Sequence, residues 1–367
     1  AAEVPWSTVS KQTAPRIPRT SKMGCCCSSI DKSMDKPMKW YPDFCKTLPD
    51  LKGKVIAITG TTTGTGNVAA KTCAQKGATV ILLNRTSERS EKSLQVLKQE
   101  VPEGEFVPIP CDLMDLNSVK QAAAEIKRLY SEAGLDVLCC NAGIMAMPDE
   151  ATKDGFDVQM QTNHLSHWVL TAELFPLLKA AGDRTGDARV VYHSSGVRKQ
   201  VNKLEAKYFG KNGGSLGGNS TSFTGARWRR YNMTKLANAV CGYALADRLR
   251  ASGVTSVKSI IAEPGLAATN LQVTTNAAGG MSPFLIGLFF GATGQHMADG
   301  AMPLLAACCL PDAASGDFYV PKSTTVGPPV KLTKPDKMCV SEDNKKMVLE
   351  ESAKALGVDV VVAPTSG

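Results

Sequence analysis

Several features are missing from this chain of 367 residues, and each absence excludes a class of protein. The most apolar stretch, residues 283–290, is too short to cross a bilayer, so no membrane span is expected. No Cys-x-x-Cys pair occurs among the 12 cysteines, which argues against zinc and thioredoxin-like sites. Aromatic residues make up only 6%, and basic residues are not interleaved with them in a stripe, so no nucleic-acid partner is expected.

The cysteines themselves do not form a disulfide pattern. Residues 25–27 are three consecutive cysteines, and 139–140 and 308–309 are adjacent pairs. Several others lie in apolar runs, where cysteine behaves as a small hydrophobic side chain. We therefore predict free thiols, a reducing compartment and no metal site.

The first 54 residues are basic, with ten Lys or Arg against five acids, and the first 22 hold the single acid Glu3. This composition is typical of a transit peptide, which would direct the chain to a plastid. Met23 opens the string MGCCCSS, and translation from Met23 would make Gly24 a myristoylation site with Cys25 and Cys26 open to palmitoylation. Residues 1–50 are predicted to be a disordered leader, and the protein to be cytoplasmic, with peripheral membrane contact if Gly24 and those cysteines are acylated.

From residue 51 the pattern alternates short apolar runs with helical segments. Continuously apolar strands joined by helices predict a parallel sheet covered on both faces. The fold class is thus α/β: one Rossmann-type, doubly wound domain over 51–330, with a seven-stranded, mainly parallel sheet, followed by a C-terminal extension over 331–367 that packs on or near it. Strands are predicted at 55–59, 79–83, 106–109, 135–140, 188–192, 257–261 and 318–320, and helices at 67–76, up to about 100, at 116–132, 158–180 and 228–250.

A glycine-rich turn, TGTTTGTG at 59–66, follows the first predicted strand and opens the first helix. Glycines allow the backbone to approach a pyrophosphate, and the helix N-terminus offers free N–H groups. Arg85 follows the second strand, where an acid would bind the ribose hydroxyl of NAD. A guanidinium there suits a 2′-phosphate, so the sequence favours NADP(H). Asp112 follows the third strand and is placed to bind the adenine amine.

Tyr231 and Lys235 lie four residues apart at the start of a helix, so their side chains share a face. A lysine ammonium lowers the pKa of a neighbouring phenol, which predicts Tyr231 as a general acid or base. Ser195 ends the fifth strand, where its hydroxyl could hold a substrate carbonyl. Asn163, in the helix after the fourth strand, could anchor a water in a proton relay.

These motifs, with Asn141-Ala142-Gly143 and Pro264-Gly265, occur in the order found in short-chain dehydrogenases/reductases, which the chain resembles over about 53–330. The resemblance implies a catalytic tetrad of Asn163, Ser195, Tyr231 and Lys235. It also implies cofactor contacts from Gly60, Thr62, Thr63, Gly64, Gly66, Arg85, Asp112, Asn141, Ala142, Gly143, Tyr231, Lys235, Pro264, Gly265 and Thr269.

The long spacing between Ser195 and Tyr231, together with TNHLSHW at 162–168, resembles the retinol dehydrogenase, WW-domain oxidoreductase and protochlorophyllide reductase branch. The resemblance implies an NADP(H)-dependent oxidoreductase for a small apolar carbonyl or alcohol, covered by the apolar region 276–299. That region could equally pack into the core or form a homodimer contact. Light-dependent protochlorophyllide reduction and a non-catalytic NADP-binding scaffold are the alternatives. The insertion 197–230 is expected to be a mobile loop.

Overall fold

The computed structural model describes residues 36–267, 275–280 and 294–362. The strands are β1 (Val55–Thr59), β2 (Thr79–Asn84), β3 (Glu105–Pro110), β4 (Val137–Cys140), β5 (Ala188–His193), β6 (Val257–Ala262), β7 (Phe318–Pro321) and β8 (Pro329–Lys331). The helices are α1 (Tyr41–Thr47), α2 (Gly64–Gln75), α3 (Glu88–Glu100), α4 (Leu116–Leu129), α5 (Val158–Met160), α6 (Ser166–Thr185), α7 (Ala226–Ala251), α8 (Met297–Cys309) and α9 (Glu342–Leu356).

All the strands belong to one sheet of order β3-β2-β1-β4-β5-β6-β7-β8. Neighbours pair in parallel from β3 to β7, and the short strand β8 pairs antiparallel with β7. The α/β, doubly wound, mainly parallel architecture is therefore confirmed. Within the described residues the sheet has eight strands instead of the predicted seven, because β8 is a three-residue edge strand that begins with proline and carries no apolar alternation.

Burial of the strands follows their position in the sheet. Every residue of β1, β4 and β5 is buried, whereas β3, at the edge, exposes Glu105, Pro108 and Pro110. Prolines fit there because an edge strand has one side on which no N–H donor is needed. The helices α4, α6 and α7 cover one face with one apolar cluster, and α2, α3 and α8 cover the other with a second.

Two predicted helices differ in detail. Helix α2 begins at Gly64 rather than at 67, so Gly64 and Gly66 belong to its first helical turn. The helix predicted over 158–180 contains a π-helical turn, Gln161–Leu165, between α5 and α6, and continues to Thr185. A single π turn rotates the side chains that follow it, and such turns are frequent at functional sites. Asn163 lies inside this turn.

Residues 36–50, assigned to the predicted leader, pack against the domain. The Asp299 carboxylate of α8 accepts the backbone N–H groups of Lys39, Trp40 and Tyr41 at 2.9, 2.9 and 2.8 Å. Phe44 and Leu48 enter the apolar cluster under α8. The folded part therefore begins before residue 51. The acylation hypothesis for Gly24, Cys25 and Cys26 lies outside the described residues.

The C-terminal segment packs against α6 and α7. Trp168 Nε1 of α6 donates to the carbonyl of Val358 at 2.9 Å, and Lys345 of α9 pairs with Asp247 of α7 at 2.6 Å. In the part of the chain that is described, no helix combines the length and apolar character needed to span a bilayer. All nine cysteines in that part are free thiols, and all but Cys45 are buried.

Candidate active site

The glycine-rich turn brings β1, α2 and β4 into close contact. Gly60 has φ +72°, in the left-handed region that favours glycine. A Cβ atom on Gly66 would clash with the side-chain amide of Asn141 and with the carbonyl of Gly60. The side chain of Thr63, the N-cap of α2, accepts no hydrogen bond from the first turn of the helix. The first backbone N–H groups of α2 therefore have no side-chain partner in Thr63. This arrangement fits a pyrophosphate held by backbone N–H groups.

Asn84 shapes the same turn and was not predicted. Its Oδ1 accepts the backbone N–H of Thr61 at 2.8 Å, and its Nδ2 donates to the Thr61 hydroxyl at 2.7 Å. An asparagine at the end of β2 can make both bonds, while an aspartate could only accept. Asn84, the last residue of β2, therefore stabilises the turn through both bonds.

A cavity of about 1260 Å³ follows the carboxyl edge of the sheet from β2 to β6. This volume exceeds the range of most small-ligand sites and leaves room for a dinucleotide and a substrate together. Its walls include most of the predicted site residues: Gly60, Thr62, Thr63, Gly64, Arg85, Asp112, Asn141, Ala142, Gly143, Ser195, Tyr231, Lys235, Pro264 and Gly265. Gly66 and Asn163 lie behind the wall, and Thr269 lies outside the described residues.

One end of the cavity carries two exposed arginines. Arg85 was predicted, and Arg89, in the first turn of α3, was not. Arg89 Nη2 donates to the Thr63 hydroxyl at 2.7 Å, which holds its guanidinium over the glycine-rich turn. A second arginine soon after the end of β2 was the signal available in the sequence.

Asp112 makes a local hydrogen bond, whereas Asn141 makes hydrogen bonds to neighbouring strands. Asp112 Oδ1 accepts the N–H of Met114 at 2.9 Å, so part of its carboxylate is used locally. The Asn141 amide donates to the carbonyls of Thr59 and Gly60 at 2.9 and 3.2 Å. Its oxygen accepts from His193 Nδ1 at 2.9 Å, which ties β1, β4 and β5 together at the cavity.

The opposite end of the cavity brings Ser195, Tyr231 and Lys235 together. Lys235 Nζ lies 5.8 Å from the centre of the Tyr231 ring and donates to the carbonyl of His193 at 3.0 Å. Ser195 hydrogen-bonds the Tyr231 phenol. Tyr231 is 3% exposed and Lys235 is 5% exposed, so both groups are removed from solvent.

Burial decides the proton affinities of this pair. It raises the pKa of Tyr231, and the hydrogen bond from Ser195 opposes that shift. Burial also lowers the pKa of Lys235 to about 8. The expectation that Lys235 lowers the pKa of Tyr231 is therefore not met, because burial raises it and the opposing effect comes from Ser195.

Asn163 contacts the site through its backbone neighbours. Its side chain spans Ile144, accepting from that N–H at 2.8 Å and donating to that carbonyl at 2.9 Å. Nδ2 also donates to the Thr234 hydroxyl at 2.9 Å. Asn163 thus fixes the chain after β4 against α7, directly behind Gly143.

The region beyond Tyr231 is aromatic and apolar. Trp228 meets the Tyr231 ring edge-on, with centroids 6.0 Å apart, and Phe223 lies 4.9 Å from Trp228. Trp228 Nε1 donates to the carbonyl of Gly280 at 3.2 Å, which anchors the segment 275–280 beside the cavity. Met145, Met147, Val158 and Val197 complete this wall. The apolar residues predicted to cover the substrate, 281–290, lie outside the described residues.

The insertion 197–230 is pinned, contrary to the expected mobile loop. The Asp149 carboxylate accepts the N–H groups of Gly214, Leu216 and Gly218 at 3.1, 2.8 and 2.8 Å. Arg230, fully buried, donates to the carbonyl of Gly218 at 2.9 Å and pairs with Asp157 at 3.2 Å. Glycines in the sequence suggested mobility, but acids from a distant segment satisfy their N–H groups.

The doubly wound sheet and the glycine-rich turn place the chain in the Rossmann class of α/β proteins, with a tyrosine–lysine pair at the carboxyl edge of the sheet. The short chain dehydrogenase family model matches residues 54–210. An uncharacterized oxidoreductase of Schizosaccharomyces pombe is 37% identical over 226 residues, which are 61% of this chain and 63% of that protein. Retinol dehydrogenase 14 of Mus musculus is 31% identical over 287 residues, 73% of this chain and 78% of the mouse protein.

The solved structure of an uncharacterized Mycobacterium paratuberculosis protein superimposes with a TM-score of 0.65, at 26% identity, over 87% of this chain and 98% of that one. The chain belongs to the short-chain dehydrogenase/reductase family and is an oxidoreductase. The predicted family and its retinol dehydrogenase-like branch are confirmed. The aligned part spans less than two thirds of the yeast relative.

Proposed function

We propose that this protein is an NADP(H)-dependent oxidoreductase that interconverts a carbonyl and an alcohol on a small apolar substrate. The observation that carries the proposal is the cavity itself. The glycine-rich turn and two arginines line one end of the cavity, and Ser195, Tyr231 and Lys235 line the other end. Membership of a family that includes mouse retinol dehydrogenase 14 supports the same reaction class.

Two features support NADP(H) over NAD(H). Arg85 and Arg89 line the cavity at the end of β2, and both are exposed, so a phosphate can reach them. Arg85 occupies the position after β2 where an acid would repel a 2′-phosphate. Two guanidinium groups can bind such a phosphate through charge-assisted hydrogen bonds.

The catalytic roles follow from the positions of the side chains. NADP(H), when bound, supplies hydride transfer to or from the substrate carbon. Ser195 hydrogen-bonds the substrate oxygen, and Tyr231 exchanges the proton with that oxygen. The Tyr231 phenol holds a proton near neutral pH, as donation during carbonyl reduction requires, although burial raises its pKa and by itself makes it a weaker acid. Lys235 places positive charge beside the phenol, and Asn163 holds the chain that carries Gly143 and Ile144.

The substrate end favours an apolar molecule. Its wall includes Phe223, Trp228, two methionines and two valines, which contribute apolar surface, while Glu150, Thr162 and Thr221 also line the cavity. The relatives of the retinol dehydrogenase branch favour this chemistry over light-driven reduction and over a scaffold role. Membrane contact through acylated Gly24, Cys25 and Cys26, and a homodimer, remain predictions.

The test uses the full chain, because residues 36–50 are part of the folded domain. NADPH absorbance is followed with a panel of apolar aldehydes and ketones, in the dark and under illumination. We expect turnover in the dark, and a loss of about 10²-fold or more in Tyr231→Phe. Tyr243→Phe is the matched control, because Tyr243 lies on the same helix and its hydroxyl has no described partner. Equal loss in both variants, or none in Tyr231→Phe, contradicts the proposed role.

A further inference from the structure

A buried hydrogen-bond chain connects the C-terminal helix α9 to Lys235. Asn238 is at its centre, three residues after Lys235 on α7, and is 1% exposed. Asn238 Nδ2 donates to the carbonyl of Asn163 at 3.0 Å and to the carbonyl of His193 at 3.1 Å. The His193 carbonyl is also the acceptor of Lys235 Nζ, at 3.0 Å. One side-chain amide therefore contacts the backbone beside both Asn163 and Lys235.

The orientation of this amide is fixed by its partners. Carbonyl oxygens can only accept, so the atom facing both carbonyls is the NH₂ group of Asn238. The amide oxygen then accepts from His164 Nδ1 at 3.2 Å, which places the imidazole proton on Nδ1. His164 Nε2 accepts in turn from the hydroxyl of Ser352, on α9, at 2.9 Å. Every donor in this series of hydrogen bonds thus faces a group that can accept, and only one orientation of the Asn238 amide allows this.

We propose that Asn238 is a positioning residue that holds the Lys235 ammonium and the Asn163 backbone in place, and that His164 and Ser352 lock its orientation. The proposal rests on the proposed function of Lys235. It assigns the C-terminal helix a part in the active site, although α9 itself does not line the cavity. None of these three residues was singled out in the sequence.

The physical reason is that the ammonium shares its acceptor. Lys235 is buried, and the described hydrogen bond of Nζ goes to the His193 carbonyl. Asn238 holds that oxygen from a second direction, so the peptide cannot rotate without breaking both bonds. Because Nζ and Nδ2 bond to one oxygen at 3.0 and 3.1 Å, a carboxylate at position 238 would lie within about 6 Å of Nζ.

The first variant is Asn238→Asp, which keeps the size of the side chain and changes its charge. A carboxylate this close favours the charged ammonium, so we expect the pKa of Lys235 to rise by about one unit or more. The other titratable groups near Lys235 are Tyr231 on the same helix, His193 on β5 and His167 on α6. The readouts are the pH profile of kcat and a ¹³C NMR titration of ε-labelled lysines, assigned with Lys235→Met.

Asn344→Asp is the matched control. Asn344 is also a buried amide that donates to two carbonyls, those of Asn202 and Met338, but it lies away from the cavity. We expect this variant to lose stability and to leave the pH profile and the Lys235 titration unchanged. An unchanged pH profile and an unchanged Lys235 titration in folded Asn238→Asp, as expected for Asn344→Asp, would overturn the proposal, because a carboxylate held at the shared acceptor must shift the pKa of Lys235.

Ser352→Ala provides a second route if Asn238→Asp does not fold. Without the hydroxyl, the His164 ring loses its hydrogen bond to position 352 and no longer fixes the Asn238 amide. We therefore expect kcat to fall several-fold with the KM for NADPH unchanged. An unchanged kcat in folded Ser352→Ala overturns the proposed lock. If the wild type shows no NADPH-dependent turnover, the proposed function is contradicted. The NMR titration, which needs no turnover, then decides the positioning role.

Discussion

Replacing Lys235 by methionine should stabilise the folded protein while it removes activity. The Lys235 side chain is 5% exposed, and burial lowers its pKa from 10.5 to about 8. Methionine has similar length and no charge to desolvate. The His193 carbonyl keeps the hydrogen bond from Asn238 at 3.1 Å, so the substitution leaves that acceptor paired.

The magnitude follows from proton linkage. Between pH 8 and 10.5 the unfolded chain binds more protons at this position than the folded one, so wild-type stability rises with pH across that window. Below about pH 8 the whole penalty is present, about 3 kcal/mol for a shift of this size. Lys235→Met should therefore be more stable than the wild type by about 2–3 kcal/mol near pH 7, and by roughly half as much near pH 9.5.

Urea unfolding followed by circular dichroism, near pH 7 and near pH 9.5 and without added nucleotide, measures both differences. Other titrating groups cancel, because the two proteins differ at one position. The reasoning is refuted if Lys235→Met is less stable than the wild type near pH 7. It is equally refuted if the difference between the proteins does not shrink with pH.

Three further predictions concern the cofactor end and the insertion. Arg85→Asp should raise the KM for NADPH tenfold or more and lower the KM for NADH. The control Arg128→Asp, on the exposed face of α4, should change neither KM. Equal kinetics in the two variants would show that Arg85 does not bind the phosphate. Gly66→Ala should abolish NADPH binding in a fluorescence titration, because its Cβ clashes with Asn141, and normal affinity would show that the turn can relax. Arg230→Met should lower stability by about 3–5 kcal/mol in urea unfolding by leaving Asp157 buried without its partner, and a loss below about 1 kcal/mol would contradict the pinned insertion.

Much of the fold was predictable because its signals are local. The apolar runs of the inner strands reflect burial on both faces, and that pattern appears in the sequence itself. The glycine-rich turn and the pair Tyr231–Lys235 are also short-range motifs. Strand β8 was missed because it is three residues long, and helix α1 because it follows a basic segment that resembles a leader. Helices α8 and α9 were not predicted either.

The candidate site divides in the same way. Ser195, Tyr231 and Lys235 were identified from their spacing and from the order of the family's motifs, and the structure places them together. Arg89 was missed because its side chain reaches the cavity only when α3 begins at Glu88, and the sequence did not fix that starting point. The insertion was misjudged because Asp149, which accepts its glycine N–H groups, and Asp157, which pairs with Arg230, lie far away in the sequence.

Local pattern was enough to predict the architecture, the family and the candidate pair Tyr231–Lys235, because periodicity and motif spacing are properties of neighbouring residues. Tertiary structure alone decided the proton affinities of Tyr231 and Lys235, since burial depends on what packs around them. It also decided that Asn238 shares an acceptor with Lys235 and reaches α9 through His164. Those contacts join positions that only folding brings together.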